Sequence, residues 1–221
     1  MMSLSQGALN AAQAENYFEE HYSRDDYYSE NDRTVGQWVG KGAMDLGLVG
    51  EVSREHFSAM LQGVHPTSNA ILVPAATHNG DHDAGWDSVF SAPKSISIQA
   101  LVGGDHRLIE AHTQAVERTI AEIEAFALAS QKGGSELVVS GNITGAAFTH
   151  LAARPSLKSE QPDPQLHTHV VLLNVTKRPD GEWRGLRPIE ICRSQQYGSA
   201  IYRSAIAFDG AIYRSSAWRG R

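Results

Sequence analysis

The sequence predicts an α+β fold in which helices pack mainly on one face of an antiparallel β-sheet. Segments with strand-like alternation are interleaved with segments of helical periodicity, and most neighbouring strand candidates are joined by connections compatible with hairpins. The chain has 221 residues, of which 41% are hydrophobic, and this is enough for one sizeable buried core. We therefore expect residues 1–221 to form a single domain.

The first part of the chain is predicted to contain two helices followed by two strands. Residues 8–28 are rich in helix-forming residues with one apolar stripe, and residues 54–61 form a second helix candidate. Residues 86–90 and 95–102 alternate with a period of two, which is typical of strands. Pro93 lies in the turn between them, where it removes a hydrogen-bond donor from the sheet ladder.

The clearest helix is predicted to begin after Asp105, a good N-cap residue, and to continue until Gly133 and Gly134. Four further strand candidates follow, over residues 136–140, 143–151, 167–176 and 182–186. The turn sequence Arg178-Pro179-Asp180-Gly181 joins the last two candidates into a hairpin.

Composition argues against a membrane-inserted or secreted protein. No apolar run approaches the length of a membrane span, and the N-terminus lacks the basic and apolar regions of a secretory signal. Cys192 is the single cysteine, so it cannot form an internal disulfide. These features predict a cytoplasmic protein with no membrane insertion.

The charge is divided unevenly along the chain. Residues 1–149 carry 8 Lys and Arg against 19 Asp and Glu, whereas residues 150–221 carry 11 against 6. An anionic ligand such as DNA is therefore expected to bind mainly the Arg-rich final third. The candidate DNA-binding residues are Lys94, Arg154, Trp183, Arg184, Arg187 and Arg193. Charge alone is equally compatible with a solvated acidic face and a basic C-terminal helix.

A candidate metal site is centred on the sequence His167-Thr168-His169. Alternate residues of a strand project to the same face, so the two imidazoles lie side by side. If residues 143–151 form the antiparallel neighbour, His150 supplies a third nitrogen. Three imidazoles favour Zn, Ni or Cu. Paired histidines can also simply line a sheet face, but a Pro-rich loop before the pair and an apolar strand after it favour a ligand site.

Asp87 and the glycine-rich segment 36–42 are two further candidate features of the sequence. Asp87 lies between apolar residues, where a carboxylate needs a partner such as a histidine N–H. Asp87 could fix the tautomer of a ligand histidine, or it could accept a proton from a nucleophile. Residues 36–42 are glycine-rich but lack the spacing and the hydroxyl of a phosphate-binding loop, so we interpret them as a turn.

The sequence resembles the MobF-type conjugative relaxases, a branch of the HUH endonucleases. The most specific matches are FSAPKS at residues 90–95 and PQLHTH at residues 164–169. Shorter similarities are Met2-Ser3, Asn16-Tyr17-Phe18, Asp26-Tyr27-Tyr28, the segment Gly40 to Leu48, and Gly104-Asp105. These segments occur in the family's order and cover most of the chain.

The resemblance implies a palm-like antiparallel sheet and an enzyme that nicks one strand of plasmid DNA at a transfer origin. It implies that Tyr17 is the nucleophile, that Tyr27 and Tyr28 form a second tyrosine pair, and that Asp87 lies beside the metal triad. The product would be a covalent 5′-phosphotyrosine and a free 3′-OH, with Mg or Mn as the metal in cells. Single-stranded or cruciform DNA is the implied substrate, and accessory transfer and secretion-coupling proteins are implied partners.

Relaxase domains of this type continue further than this chain, so the resemblance also leads us to expect that the closing C-terminal segment and the helicase domain are absent. Two alternatives remain at this point. One is a catalytically weak remnant that binds single-stranded DNA. The other is a three-His metal hydrolase or metal-binding module in which the tyrosines are structural.

Overall fold

The computed structural model describes residues 1–5, 8–10, 35–73, 83–153 and 162–217. Tyr17, Tyr27, Tyr28 and Arg154 lie outside these ranges. Among the helices in the described ranges, none combines the length and the apolar character needed to cross a lipid bilayer.

The secondary structure alternates short strands with helices. The strands are β1 (Met2–Leu4), β2 (Leu9–Asn10), β3 (Gln37–Val39), β4 (Asp83–Ser91), β5 (Leu128–Gln131), β6 (Glu136–Val139), β7 (Gly145–Ala152), β8 (Pro164–Leu173), β9 (Thr176–Lys177), β10 (Trp183–Arg184) and β11 (Leu186–Arg187). The helices are α1 (Lys41–Asp45), α2 (Arg54–Leu61), α3 (Lys94–Leu101), α4 (Arg107–Ile123), α5 (Ile189–Arg193) and α6 (Gln195–Ala217).

The main sheet has the order β1-β4-β8-β7-β3, and β2 also pairs with β4. All of these pairs are antiparallel. A smaller sheet has the order β11-β5-β6, and β9 forms a hairpin with β10. The antiparallel sheet predicted from the sequence is therefore confirmed, and its two longest strands, β4 and β8, lie next to each other.

The main sheet is covered unequally on its two faces. Val170 and Leu172 of β8 join a buried cluster with residues of α4 and α6. Val171 and Leu173 point the other way, into a second cluster with residues of the segment 35–73 that contains α1 and α2. The longer helices thus lie on one face, as predicted, and the second face is covered by shorter elements.

Residues 95–102 were predicted to be a strand, and this is wrong, because Lys94–Leu101 form helix α3. Pro93 is the N-cap of this helix, a position that suits its fixed φ and its missing N–H. Ser97 and Ala100, three residues apart, are the buried residues of the helix. The serine–isoleucine alternation therefore does not follow the buried face.

The predicted helix over residues 8–28 is wrong at its start, because Leu9–Asn10 pair with β4. The remainder of that prediction lies outside the described residues. The helix predicted over residues 54–61 is confirmed as α2, whose N-cap Ser53 accepts a hydrogen bond from the His56 amide. This is the capping arrangement that serine favours.

Both predicted ends of the central helix need correction. The Asp105 carboxylate forms an ion pair with Arg107 at 2.7 Å, and it does not cap α4. The helix ends at Ile123, and Gly133 and Gly134 lie instead in the turn between β5 and β6, with φ values of 69° and 96°. Glycine is favoured there because these φ values lie in the left-handed region.

Glu124, the residue that directly follows the helix, connects it to two distant segments. Its side chain is 1% exposed, and its Oε1 accepts hydrogen bonds from the amides of Lys41 (2.6 Å) and Ile143 (3.1 Å). The Lys41 ammonium lies 3.1 Å from the other carboxylate oxygen. At Gly40 a Cβ would lie 2.2 Å from the Ile143 carbonyl oxygen, so only glycine fits. The interpretation of residues 36–42 as a turn is wrong, because they form strand β3 and the start of helix α1, with Gly40 at the junction.

A buried histidine connects the sheet to the helices. His112 of α4 is fully buried, with Nδ1 2.6 Å from the Tyr202 hydroxyl and Nε2 2.7 Å from the Thr168 hydroxyl. Burial, with a smaller effect from His167 and the N-terminal ammonium, lowers the pKa of His112 from 6.5 to about 3. The imidazole is consequently neutral at physiological pH.

We expect His112 to make the fold sensitive to acid. The unfolded chain protonates this imidazole near pH 6.5 and the folded chain only near pH 3, so its contribution to stability is complete above pH 6.5 and is lost as the pH falls. Between these two pH values, the free energy of unfolding is expected to change by up to about 1.4 kcal/mol per pH unit because of His112. Urea unfolding of wild type and His112→Gln from pH 7 to pH 4 measures it. Equal slopes in the two proteins would contradict the assignment.

Candidate active site

Three imidazoles lie together on one face of the main sheet. His150 of β7 is directly opposite His167 of β8 in the antiparallel register, and His169 follows two residues later on the same face. The ring centroids are separated by 5.3 Å (His150–His167), 5.7 Å (His150–His169) and 5.2 Å (His167–His169). The structure thus brings together the three histidines that the sequence singled out.

The spacing of the rings fits a single divalent ion. A metal–nitrogen distance of about 2.1 Å places each ring centroid about 3.2 Å from the ion, and tetrahedral angles then separate the centroids by about 5.2 Å. In the described part of the chain, no three His, Cys, Asp or Glu side chains are already closed around one metal position. The three imidazole rings therefore have to rotate when an ion binds. The strands already hold the ring centroids at the separations that one ion requires.

Hydrogen bonds at Nδ1 fix the tautomers of His167 and His169. His169 donates its Nδ1 proton to the Asp87 carboxylate, at 3.0 and 3.2 Å from the two oxygens. His167 donates its Nδ1 proton to the Gln165 carbonyl oxygen at 2.9 Å. A carbonyl or carboxylate oxygen can only accept, so the lone pair of each neutral ring is on Nε2. This tautomer is the one that a metal ligand needs.

Burial also keeps His167 neutral. Desolvation lowers the pKa of this imidazole, and the nearby His169 lowers it further, while the Gln165 carbonyl and Asp87 act in the opposite direction with smaller total effect. A neutral imidazole has a lone pair for a metal and brings no positive charge of its own. The local environment therefore favours the protonation state in which His167 can act as a ligand.

Asp87 is held in place through its backbone. Its amide donates to the Ser5 hydroxyl at 3.2 Å, and its carbonyl accepts from the Ser5 amide at 2.8 Å. In the β4–β8 register His169 is opposite Val89, so Asp87 is the diagonal neighbour on the same face. The diagonal position explains how a carboxylate on β4 reaches a histidine on β8.

One predicted DNA-binding residue lies at the same end of the sheet as the histidines. Lys94, at the start of α3, donates to the Pro164 carbonyl oxygen at 3.1 Å, and Pro164 is the first residue of β8. Its ammonium lies 3.8 Å from the Asp163 carboxylate, and the side chain is 56% exposed. Lys94 is therefore an exposed cation beside the first residue of the strand that carries His167 and His169.

The other predicted DNA-binding residues within the described ranges lie on different elements. Trp183 and Arg184 form β10, which pairs with β9 beyond the far end of β8. Trp183 packs against the core, with the Lys177 ammonium 5.8 Å from the ring centroid. The structure does not bring these residues to the histidine cluster, and Trp183 is partly occupied by packing.

The remaining arginines make local polar contacts. Arg184 forms an ion pair with Glu182 at 3.3 Å, and Arg193 forms one with Glu190 at 2.6 Å. Arg187 donates from Nε to the Ser130 hydroxyl at 2.9 Å. Arg184 and Arg193 thus each lie beside a carboxylate, which weakens the positive potential at these two side chains.

Sequence analysis missed several residues that support the site. Ser5 and Gln165 hold Asp87 and His167, and the buried Thr168 lies between the two β8 histidines on the opposite face. Strand alternation places Thr168 on that face, but no local pattern indicated its partners.

Comparison with known proteins identifies the family. A model of the TrwC relaxase family matches residues 11–210. The chain belongs to the TrwC relaxase family. The resemblance to conjugative relaxases inferred from the sequence is thereby confirmed.

Relatives of this TrwC-family chain agree with that assignment. The multifunctional conjugation protein TraI of Escherichia coli (strain K12) is 38% identical over 217 residues, which is 97% of this chain and 11% of TraI. The chain thus spans about a tenth of the length of this relative.

Two solved structures have the same fold. The metal-bound complex of the conjugative relaxase TrwC with oriT DNA has a TM-score of 0.81 and 38% identity, covering 96% of this chain and 70% of that one. The copper-bound complex of TrwC with oriT DNA has a TM-score of 0.82 and 39% identity, covering 96% and 71%.

We predict that His167→Ala and His169→Ala each reduce Zn²⁺ affinity at least about tenfold with little change in thermal stability, because these half-buried rings supply ligands and little core packing. Isothermal titration calorimetry and thermal melts measure the two effects. His106→Ala, at an exposed histidine before α4, is the control and should bind as wild type does. Unchanged affinity in both site variants would show that the three histidines do not form the metal site.

Proposed function

We propose that this chain is the DNA-nicking domain of a conjugative relaxase. The observation that carries the proposal is the cluster of His150, His167 and His169, with ring centroids 5.2 to 5.7 Å apart and Asp87 bonded to one of them. Membership of the TrwC family and the likeness to TrwC bound to oriT DNA support the same function. The reaction is cleavage of one strand of plasmid DNA at a transfer origin.

A divalent metal belongs to this proposal. One of the two TrwC complexes is metal-bound and the other copper-bound, and copper matches the preference of imidazole nitrogen. His150, His167 and His169 would hold the ion here, and Mg or Mn would serve in cells. When bound, a divalent ion supplies positive charge against the negative charge that builds on a phosphate under attack.

The surrounding residues act on the protonation and orientation of the ligands. Asp87 holds the Nδ1 proton of His169, and Gln165 holds that of His167, so both rings present Nε2. Because the Asp87 carboxylate is already bonded to His169, we assign it a positioning role in preference to that of accepting the tyrosine proton. Lys94, beside the start of β8, can contact a DNA phosphate.

Tyr17 is the proposed nucleophile. Its phenolate oxygen forms a bond to the scissile phosphorus while the bond from phosphorus to the 3′ oxygen breaks, which leaves a 5′-phosphotyrosine and, after protonation, a free 3′-OH. A phenol with a pKa near 10 needs a nearby cation or base to react at neutral pH. Tyr27 and Tyr28 would serve a second strand transfer. All three tyrosines lie outside the described residues.

Recognition of DNA is proposed to involve both ends of the sheet. Lys94 lies at the histidine end, and Arg184, Arg187 and Arg193 lie on elements after β8. Arg154 and Trp183 complete the proposed set. The substrate is single-stranded or cruciform transfer-origin DNA, and accessory transfer proteins and a secretion-coupling protein are the proposed partners in the cell.

Tyr17→Phe should eliminate the covalent adduct while DNA affinity is retained, because only the nucleophilic oxygen is removed. The assay incubates protein with a labelled transfer-origin oligonucleotide and Mn²⁺, then separates adducts on a denaturing gel. Tyr197→Phe, at a 45% exposed tyrosine of α6, is the matched control and should form the adduct normally.

Peptide mapping of the wild-type adduct extends this test. The nucleotide should be found on the peptide that contains Tyr17. Recovery on Tyr27 or Tyr28 would identify a different nucleophile, and normal cleavage by Tyr17→Phe would indicate attack by water.

DNA affinity is expected to fall steeply with salt, since each cation that binds a phosphate releases counterions. Substituting Ala at Lys94 should lower the slope of log affinity against log salt by about 0.7, and Ala at Arg184, Arg187 and Arg193 together by about 2. Fluorescence anisotropy with a labelled single strand measures the slopes. A slope that is unchanged in the triple variant would place the DNA path elsewhere.

A further inference from the structure

A chain of buried hydrogen bonds runs behind the histidine cluster, on the opposite face of the sheet. The Thr149 and Thr168 hydroxyls are 2.7 Å apart, Thr168 lies 2.7 Å from His112 Nε2, and His112 Nδ1 lies 2.6 Å from the Tyr202 hydroxyl. We call these four residues the rear network. It connects β7 and β8 with the helices α4 and α6.

The rear network joins the strands at the level of the candidate ligands. Thr168 lies between His167 and His169, and Thr149 precedes His150. Thr149 and Thr168 are also direct partners in the antiparallel register. Because alternate residues face opposite sides, fixing the two threonines fixes the backbone from which the three imidazoles project.

The hydrogens of the rear network can be assigned. Burial raises the pKa of the Tyr202 phenol, so its hydroxyl keeps its proton and donates to His112 Nδ1. The neutral imidazole then donates from Nε2 to Thr168, and the Thr168 hydroxyl donates to Thr149. With this order of donors and acceptors, the buried residues Tyr202, His112 and Thr168 all have hydrogen-bond partners. A fully satisfied buried network is rigid.

From this arrangement we propose that Thr168, supported by His112 and Tyr202, is a positioning residue for the metal ligands. It acts by fixing the position and the twist of the β8 backbone relative to β7, so that the three imidazoles converge on one ion. The inference rests on the proposed function, because it assumes that the histidine cluster binds a metal. An apolar residue would fill the same space without directional bonds, and a ligand set tolerates displacements of only about 0.5 Å.

The decisive experiment compares Zn²⁺ affinity with stability in matched variants. Thr168→Val should weaken Zn²⁺ binding about tenfold in isothermal titration calorimetry, and Thr168→Ser, which restores the hydroxyl, should return it to within about twofold of wild type. Thr176→Val is the control, because Thr176 is also fully buried and bonded, to Ser140 and Asn142, but lies beyond the far end of β8. The control should lose thermal stability and keep wild-type Zn²⁺ affinity.

The outcomes separate this inference from the proposed function. If wild type and His106→Ala bind Zn²⁺ and Thr168→Val binds it as tightly, the positioning role is overturned and the metal site stands. If wild type itself binds no Zn²⁺, the metal site fails and the positioning role with it. Should Thr168→Val not fold, Tyr202→Phe replaces it, with an expected loss of at least about threefold and the same contradicting result.

Discussion

Backbone pairing of β8 with β4 on one side and β7 on the other creates the candidate active site. This pairing sets His150 opposite His167 and makes Asp87 the diagonal neighbour of His169. A shift of one residue in either register would turn a whole strand over and move its side chains to the helix-covered face. Thr168, which is buried on the helix-covered face and hydrogen-bonded to His112, opposes such a shift, because the shift would break this hydrogen bond and put a histidine in its place. A buried polar contact thus helps to fix the register of the site.

Sequence reasoning predicted the elements whose pattern is local. The alternation in β8 identified both of its histidines as one face, and the hairpin turn after it was found from Pro179 and Gly181. Errors arose where a distant contact decides the structure. Ser97 of helix α3 accepts a hydrogen bond from the Leu166 amide of β8, a contact 69 residues away in sequence that the local alternation of residues 95–102 does not indicate.

In the candidate site, too, the ligands could be predicted from the local sequence, and the residues that support them through distant contacts could not. The histidines and Asp87 could be selected because their residue types have ligand and acceptor chemistry, whereas their supports could not. Ser5 is 82 residues from Asp87 in sequence, and His112 is 56 residues from Thr168. Charge counting likewise indicated a basic final third, but it did not reveal that Glu182 and Glu190 pair with the arginines beside them.

The connectivity of the main sheet has a consequence for how the chain folds. Edge strand β3 pairs with β7, Gln37 with Ala147, and β4 pairs with β8, Asp87 with Val171. Pairings between such distant segments slow folding, because a long loop must close before any contact forms. During synthesis, β4 cannot find its central partner until β8 has left the ribosome. A nascent chain therefore exposes unpaired strands until the segment with two of the three histidines emerges, and assembly of the sheet and of the site becomes one late event.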